Sequence, residues 1–326
     1  MKAIIAHEFG DADVLQEAEI PPPFPRDFDL LVNVRAAGVN RADILQRRGH
    51  YPPPPGDSEV IGLEIAGTVE AVGDQVLGFR KGDRVFGLIG GGGYAEQALL
   101  DFRMAMLIPE PWSFEMAAAV SEVFFTANEN LFTHGKLLPS ETVLIHAGGS
   151  GVGSAETQMA HLIGAKVFIT AGSQKKIDSS LKLGSAAGIN YKTHDFVEEI
   201  KNLTEGQGVN LVQDFVGAAY LNRNLQVLRH QGRLALIGLL GGAQAEINLA
   251  TVMSKRLRIF GSLIRSLPIL EKIAIKDRFE KNWFPRLIAG QVRPVIDHVF
   301  PLGQAAEAHK YMEASQHFGK IILAVQ

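Results

Sequence analysis

Apolar and polar positions alternate through the first third of the chain. Residues 31–35 (Leu-Val-Asn-Val-Arg) and 65–72 repeat with period two, and 83–87 follow a turn at 79–82. Such runs predict short, half-buried strands. Proline-rich stretches at 21–25 and 52–55 and glycines at 90–93 separate them as loops, since proline removes a ladder donor and glycine runs resist ordering. Short strands punctuated in this way predict a compact, partly open barrel. Residues 115–132 then change to helical spacing, with Met116, Ala119, Val120, Val123 and Phe124 on one face.

A different rhythm begins near residue 142. An apolar run at 143–145 breaks into Gly148-Gly149-Ser150-Gly151-Val152-Gly153, followed by a helical pattern (Ala155, Met159, Leu162, Ile163), Gly164 and a second apolar run at 167–170. Strand, glycine turn, helix and strand in that order form the opening unit of a dinucleotide-binding fold. Further strands are expected at 209–216, 234–239 and 257–262, with a helix ending at 226–231 and a turn at 232–233. Repeated β-α units imply a doubly wound parallel sheet. A long helical pattern from 266 to Gly290, a strand at 295–300, a helix at 303–312 and a strand at 321–325 close the chain. The last strand is expected to rejoin the N-terminal domain, giving one discontinuous domain (1–122 and 266–326) around a dinucleotide-binding one (123–265).

The glycine turn carries chemistry because a helix N-terminus with bare main-chain N–H groups accepts a pyrophosphate. A Cβ at Gly148 or Gly153 would hold the ligand off or push helix and strand apart. The spacing G-x-G-x-x-G is met in part, its middle glycine falling on Ser150, and a turn serving only packing is the competing reading. A fold that prefers NAD places an acid about 20 residues beyond the glycines. Here Ala171-Gly172-Ser173-Gln174-Lys175-Lys176 offers no acid before Asp178. Ser173 reads as an N-cap, which sets both lysines in a helical first turn, where the dipole disfavours cations. Two solvated lysines carrying a small dipole penalty are one reading; the other is a 2′-phosphate over that N-terminus, contacted by Ser173 and one lysine, Lys176. The expected cofactor is NADPH.

Composition narrows the field. The 326 residues are 46% hydrophobic and 21% charged with a net charge of −3, so neither nucleic acid nor an anionic membrane meets a general attractive field. No apolar run has the length of a membrane span. His7 and Glu8 interrupt the place where a leader peptide would need its apolar core, so the first residues read as an edge strand and a cytoplasmic location is expected. The absence of cysteine excludes disulfides, a thiolate nucleophile and cysteine-ligated zinc. The ten histidines show no metal-binding spacing, and no metal is expected.

Several segments resemble the medium-chain dehydrogenase/reductases. They are Gly38-Val39-Asn40-Arg41-Ala42-Asp43, Arg48-Gly49-His50-Tyr51-Pro52, Gly62-Leu63-Glu64-Ile65-Ala66-Gly67, Lys81-Gly82-Asp83-Arg84-Val85 and Ile145 through Gly153. The chain resembles most the zinc-free quinone oxidoreductases, the zeta-crystallin group among them, and residues 170–176, Ile189-Asn190-Tyr191-Lys192 and 308–314 resemble in particular their tumour-suppressor-inducible branch. The resemblance spans the chain and implies a GroES-like barrel domain beside a Rossmann domain. In the zinc-dependent alcohol dehydrogenases of that superfamily a Cys and a His hold the metal; here Asn40 and Leu63 stand in their places. Without a Lewis acid, alcohol oxidation loses its main source of catalysis, whereas an electron-poor quinone or enone accepts hydride without one.

The resemblance further implies that the nicotinamide lies near Asn40, Tyr51 and Thr126, with the loops carrying Gly238 and Leu263 closing over it. Gly148, Ser150, Gly151, Val152 and Gly153 would hold the pyrophosphate, and Gly172, Ser173, Lys176 and Tyr191 the 2′-phosphate side. Tyr51 could equally anchor its loop, Asn40 bridge backbone groups and Thr126 bond within its helix. Asp43 and Glu64 read as structural, because an acid facing a reduced quinone opposes its negative charge. Arg265 ranks lower as a substrate contact. The proton for the product would come from Tyr51 or water. The expected activity is NADPH-dependent reduction of a small quinone or enone. An enoyl or enone double-bond reductase and an NADPH-binding redox sensor with little turnover are the alternatives. An apolar edge strand at 257–262 points to a homodimer joined edge to edge.

Overall fold

Asp29–Val39 is the strand around which the first of two units is built. It pairs antiparallel with Gln97–Asp101 along its early half, with Lys320–Ala324 along its late half, and with Glu64–Val72 on the other edge. Register shifts between Leu31 and Val32 and between Val34 and Ala36 add twist, which lets one strand serve two successive neighbours. Gly67 sits at the closest approach, where a Cβ would lie 2.1 Å from the Asn33 carbonyl oxygen. The sheet runs Ile296–Pro301, Lys320–Ala324, Asp29–Val39, Glu64–Val72, Arg84–Leu88, Ala105–Leu107, an open barrel as the alternation predicted. The computed structural model describes residues 1–325.

This unit comprises Met1–Val123, Arg265–Lys281 and the C-terminal residues from Pro294. Lys2–Ala6 and Leu15–Glu19 form a two-stranded sheet at its start, bridged to Ala95 through Ala3. A buried polar chain crosses its interior. Arg47 donates to His309 Nδ1 (3.2 Å), His309 Nε2 lies 3.0 Å from the Tyr94 hydroxyl, and that hydroxyl donates to Asp43 Oδ2 at 3.0 Å. Burial, helped by the charge of Arg47, pushes His309 down to about 3. The ring is therefore neutral, and because Nδ1 accepts from Arg47, Nε2 carries the proton and donates to Tyr94.

The helix expected over 115–132 is broken. Phe114–Ala118 ends, the chain turns at Ala119 and Val120 through i→i+3 bonds, and Ser121–Asn128 starts afresh, continuing as a wider helical turn over Glu129–His134. A buried acceptor explains the restart: Glu64 Oε2 takes the backbone N–H of Glu122 at 2.9 Å, satisfying a donor that a helix N-terminus leaves unpaired.

The second unit, Phe124–Ile264 with Asn282–Arg293, is a six-stranded parallel sheet. Its order is Ala187–Asn190, Lys166–Ala171, Thr142–Ile145, Val209–Asp214, Leu228–Leu236, Arg258–Gly261. The order reverses beside Thr142–Ile145, and in open sheets of this kind ligands bind beyond the carboxyl ends at that reversal. Leu144, Phe168, Phe196, Ile200, Leu225 and Leu234 form part of its core.

Two expectations fail here for local reasons. Residues 228–236 are one strand rather than a helix end, a turn and a strand; Gln231, at φ 60°, is absorbed as an irregularity opposite Val209–Leu211. The helix expected from 266 to 290 splits into Ile269–Asn282 and Phe284–Ile288, with Pro285 in the first turn of the second piece, where its missing N–H costs nothing. Residues 282–293, expected with the first domain, group with the second unit. Trp283 stacks on Phe132 with ring centres 5.0 Å apart, and Gln158 exchanges hydrogen bonds of 2.9 and 3.0 Å with the backbone of Arg293.

His146, just past Thr142–Ile145, is fully buried between Thr170 Oγ1 (2.9 Å) and Asn224 Oδ1 (2.7 Å). Burial lowers it from 6.5 to about 4. Between those values the unfolded chain binds a proton that the folded one refuses, so stability is full above pH 6.5 and declines as pH falls toward about 4, by about 3 kcal/mol. Urea unfolding across that range should show the decline, and His146→Gln should flatten it.

Candidate functional site

In the second unit the glycine turn leads from Thr142–Ile145 into the helix Gly151–Leu162. Ser150 is its N-cap, with Oγ accepting the Gly153 N–H at 3.0 Å. The expected middle glycine is thus exchanged for a residue that holds the helix start in place. Gly148 and Gly153 serve close packing: a Cβ on Gly148 would lie 2.6 Å from Ile169 Cβ, and one on Gly153 would lie 2.5 Å from the Ala147 carbonyl oxygen. Of the two consequences foreseen for a side chain there, separation of helix and strand is the one these distances describe. Gly151 and Val152, the first two helical residues, remain partly accessible.

The strand Lys166–Ala171 delivers the second group. Ser173 caps the helix Gln174–Leu181, its Oγ accepting the Lys176 N–H at 3.4 Å, so Lys175 and Lys176 occupy the first turn. Tyr191 is 44% exposed, and its hydroxyl lies against Gly172, where a Cβ would sit 2.6 Å from the phenol oxygen. Gly172, Ser173, Lys176 and Tyr191 therefore gather at one end of the sheet as a half-open cradle that any side chain at 172 would fill. These features suit a phosphorylated dinucleotide: free main-chain donors, a hydroxyl cap, a cation and an aromatic face. Gly238 donates its N–H to Asp214 O at 3.2 Å, and Leu263 is 56% exposed. Thr126 is buried, with its carbonyl taken by Asn130 Nδ2 at 2.9 Å.

In the first unit Asn40 caps the helix Arg41–Arg47 and is fully engaged. Its Nδ2 donates to Glu64 Oε1 (3.0 Å) and Gly38 O (3.3 Å), and its Oδ1 accepts from Lys320 Nζ at 2.7 Å. Lys320 also donates to Glu64 Oε1 (2.6 Å) and Val39 O (2.9 Å), which uses all three ammonium protons. Asp43 takes the Asn40 N–H at 2.7 Å besides the Tyr94 hydroxyl. Burial chiefly raises Asp43 to about 7, against the opposing pull of these bonds.

Arg265, ranked low as a substrate contact with solvation as the competing reading, is not solvated. It is buried and donates to Gly90 O (2.7 and 3.0 Å), Gln46 Oε1 (2.7 Å) and Tyr51 O (3.2 Å), with its guanidinium 5.3 Å from the Tyr51 ring centre. It thereby anchors the loop carrying Tyr51. Burial raises the Tyr51 phenol first, and the charge of Glu122 adds to it while that of Arg265 opposes. Arg265 and Glu122 also line a cavity of about 460 Å³ with Leu63, Leu88, Ile89 and Lys272. Glu122, Lys320 and Arg265 were not foreseen as a group, since nothing in local spacing connects residues so far apart. Among the described residues no His, Asp or Glu cluster has the arrangement of a metal site.

Comparison with known proteins was consistent over the whole length. Residues 26–110 match the alcohol dehydrogenase GroES-like domain and residues 151–277 the zinc-binding dehydrogenase family. The human quinone oxidoreductase is 33% identical over 99% of this chain and 97% of its own. The crystal structure of Escherichia coli quinone oxidoreductase complexed with NADPH superimposes with a TM-score of 0.91, at 31% identity over 99% of this chain and all of the other. That of an NAD-dependent alcohol dehydrogenase gives 0.89, at 32% identity over both chains entirely.

The Glu64–Lys320 pair makes a direct prediction. Lys320→Met leaves a buried carboxylate without its cation and should cost about 3–5 kcal/mol in urea unfolding. Adding Glu64→Gln should recover much of that loss, because the uncompensated charge, rather than the missing contact, dominates.

Proposed function

The chain belongs to the medium-chain dehydrogenase/reductase superfamily, and from that premise we propose an NADPH-dependent, zinc-independent oxidoreductase of quinones and related conjugated electrophiles. The observation that carries the cofactor is the end of the strand Lys166–Ala171. It has a capping serine, two lysines in the next first turn, a phenol folded over Gly172 and no acid before Asp178. A carboxylate that would favour the ribose hydroxyl of NAD is missing, and the cations favour a 2′-phosphate. This separates the two cofactors named among the structural relatives.

When bound, the nicotinamide supplies hydride. The chain's part is binding, orientation and exclusion of water. The N–H groups opening Gly151–Leu162 hold the pyrophosphate, while Ser173 and Lys176 hold the 2′-phosphate. Leu63, Leu88 and Ile89 give the cavity an apolar part of its wall, beside Glu122 and Arg265. Arg265 fixes the Tyr51 loop, and Tyr51 offers a ring against which a flat substrate stacks. Zinc independence is supported by the donor set. The sequence has no cysteine, Leu63 stands before Glu64, and the amide of Asn40 is committed to Glu64, Gly38 and Lys320.

Loss of the Lys176 contact should cost about 1.5–3 kcal/mol, or roughly ten- to a hundredfold in KM. Initial rates with a naphthoquinone should show Lys176→Ala raising KM for NADPH and leaving that for NADH unchanged; equal effects would refute the 2′-phosphate assignment. In the same assay, dialysis against a chelator should leave the rate intact, and a loss restored by zinc would contradict metal-free chemistry.

The assembly is proposed to be a homodimer. Arg258–Gly261 is an edge strand of the parallel sheet, and Met253 and Leu249 beside it are 78% and 64% exposed. An unpaired edge with apolar neighbours is covered by pairing with a second copy. Light scattering should give twice the chain mass, and a monomer would refute it. No helix of the described residues is long and apolar enough to cross a membrane.

A further inference from the structure

We propose that Glu122 is the general acid of the reaction, giving a proton to the reduced substrate in the cavity that its carboxyl lines. This rests on the quinone reductase reading. Glu122 is the second residue of Ser121–Asn128, where its own N–H is held by Glu64 Oε2 at 2.9 Å. Its side chain forms part of the wall of the 460 Å³ cavity, a volume suited to a small ligand. Among the described residues no group hydrogen-bonds the carboxyl, and it is not sealed from solvent. The cavity is therefore where a partner can reach it. Glu156 makes the contrast: it too lacks a hydrogen bond, but it is fully buried with both oxygens closed off.

The surroundings hold the proton near neutrality. Burial acts first, Glu64 on the adjacent strand and Asp43 on the helix Arg41–Arg47 add repulsion, and Lys320 and Arg265 oppose them. The balance is about 7. Tyr51 faces the same charge from its loop, and Lys272 and Asp57 also line the cavity. A donor whose pKa matches the working pH is the most effective kind. The objection that an acid repels a reduced quinone applies to a carboxylate, and Glu122 below about pH 7 is a neutral carboxyl.

The balance is NADPH + quinone + H⁺ giving NADP⁺ + hydroquinone. A quinone that has gained two electrons and one proton as hydride is an anion lacking one proton. The O–H bond of Glu122 breaks, the second O–H bond of the hydroquinone forms, and the carboxylate recovers a proton from solvent through the cavity. Arg265 and Lys272, in the same walls, favour the anion until it is neutralised.

The test compares wild type, Glu122→Gln and Glu122→Asp with NADPH and a naphthoquinone across the neutral range. Wild-type kcat/KM should fall as pH rises through about 7. Glu122→Gln should lose that limb and run roughly a hundredfold slower or more, whereas Glu122→Asp should keep the limb at a reduced rate. Infrared difference spectra of the cofactor-free protein should show protonated-carboxyl absorption titrating near pH 7 from Glu122 and Asp43; Glu122→Gln should remove one component and Asp43→Asn the other. Quinone reduction by wild type with an unchanged pH profile in Glu122→Gln, or no titrating component lost in Glu122→Gln, overturns the role of Glu122 and leaves the functional reading standing. No quinone-dependent NADPH consumption by wild type removes both.

Discussion

The first unit is organised around one buried carboxylate. Glu64 accepts from Lys320, from Asn40 and from the backbone of Glu122, and so joins the last strand, a helix cap and a helix start to one point. A buried charge is tolerated only when paired and hydrogen-bonded. Each of these elements is thereby tied to Glu64, and a strand of the early chain meets a lysine 256 residues away. The helix break before Ser121 and the early-to-late strand pairing are both consequences of satisfying that group.

The same carboxylate sets the electrostatics beside it. A second acid close to Glu64 resists ionisation, because two like charges in an enclosed space repel. Lys320 is already taken up by Glu64, Asn40 and Val39, so its charge only moderates the effect on Glu122. Arg265 is likewise committed to Gly90, Gln46 and Tyr51. The cations near Glu122 are committed to the framework, and the acid facing the cavity keeps its proton up to about pH 7.

Much of this was legible in the chain and some of it was not. The glycine turn, the capping role of Ser173 and the alternating strands are local patterns, and local patterns fix local geometry. The irregularity at Gln231, the restart at Ser121 and the split at Trp283 are decided by partners elsewhere: a neighbouring strand's register, the Glu64 acceptor and the stack on Phe132. Arg265 ranks low from sequence because it follows a strand in an irregular stretch, yet its four hydrogen bonds reach three acceptors, on Gln46, Tyr51 and Gly90. Glu122 read as an ordinary helix residue, since nothing in the sequence around it announces Glu64 or the cavity. Asp43 and Glu64 were recognisable as structural from charge logic alone, and the geometry gives them that work.

Asn40 and Tyr51 illustrate how resemblance and physics divide the labour. Resemblance brings both to attention, but the amide of Asn40 has no N–H left for a substrate once Gly38 and Glu64 are served. Its side chain completes the Glu64–Lys320 pair. Tyr51 keeps its hydroxyl uncommitted, but burial and the charge of Glu122 both hold its proton more tightly, which makes the phenol a poorer donor than the carboxyl nearby. An aromatic ring steadied by a guanidinium is better suited to receive a flat acceptor by stacking. The proposed division of labour, orientation by Tyr51 and proton supply by Glu122, rests on one electrostatic point: an acid enclosed beside another acid keeps its proton up to about neutral pH and can give it to a stronger base.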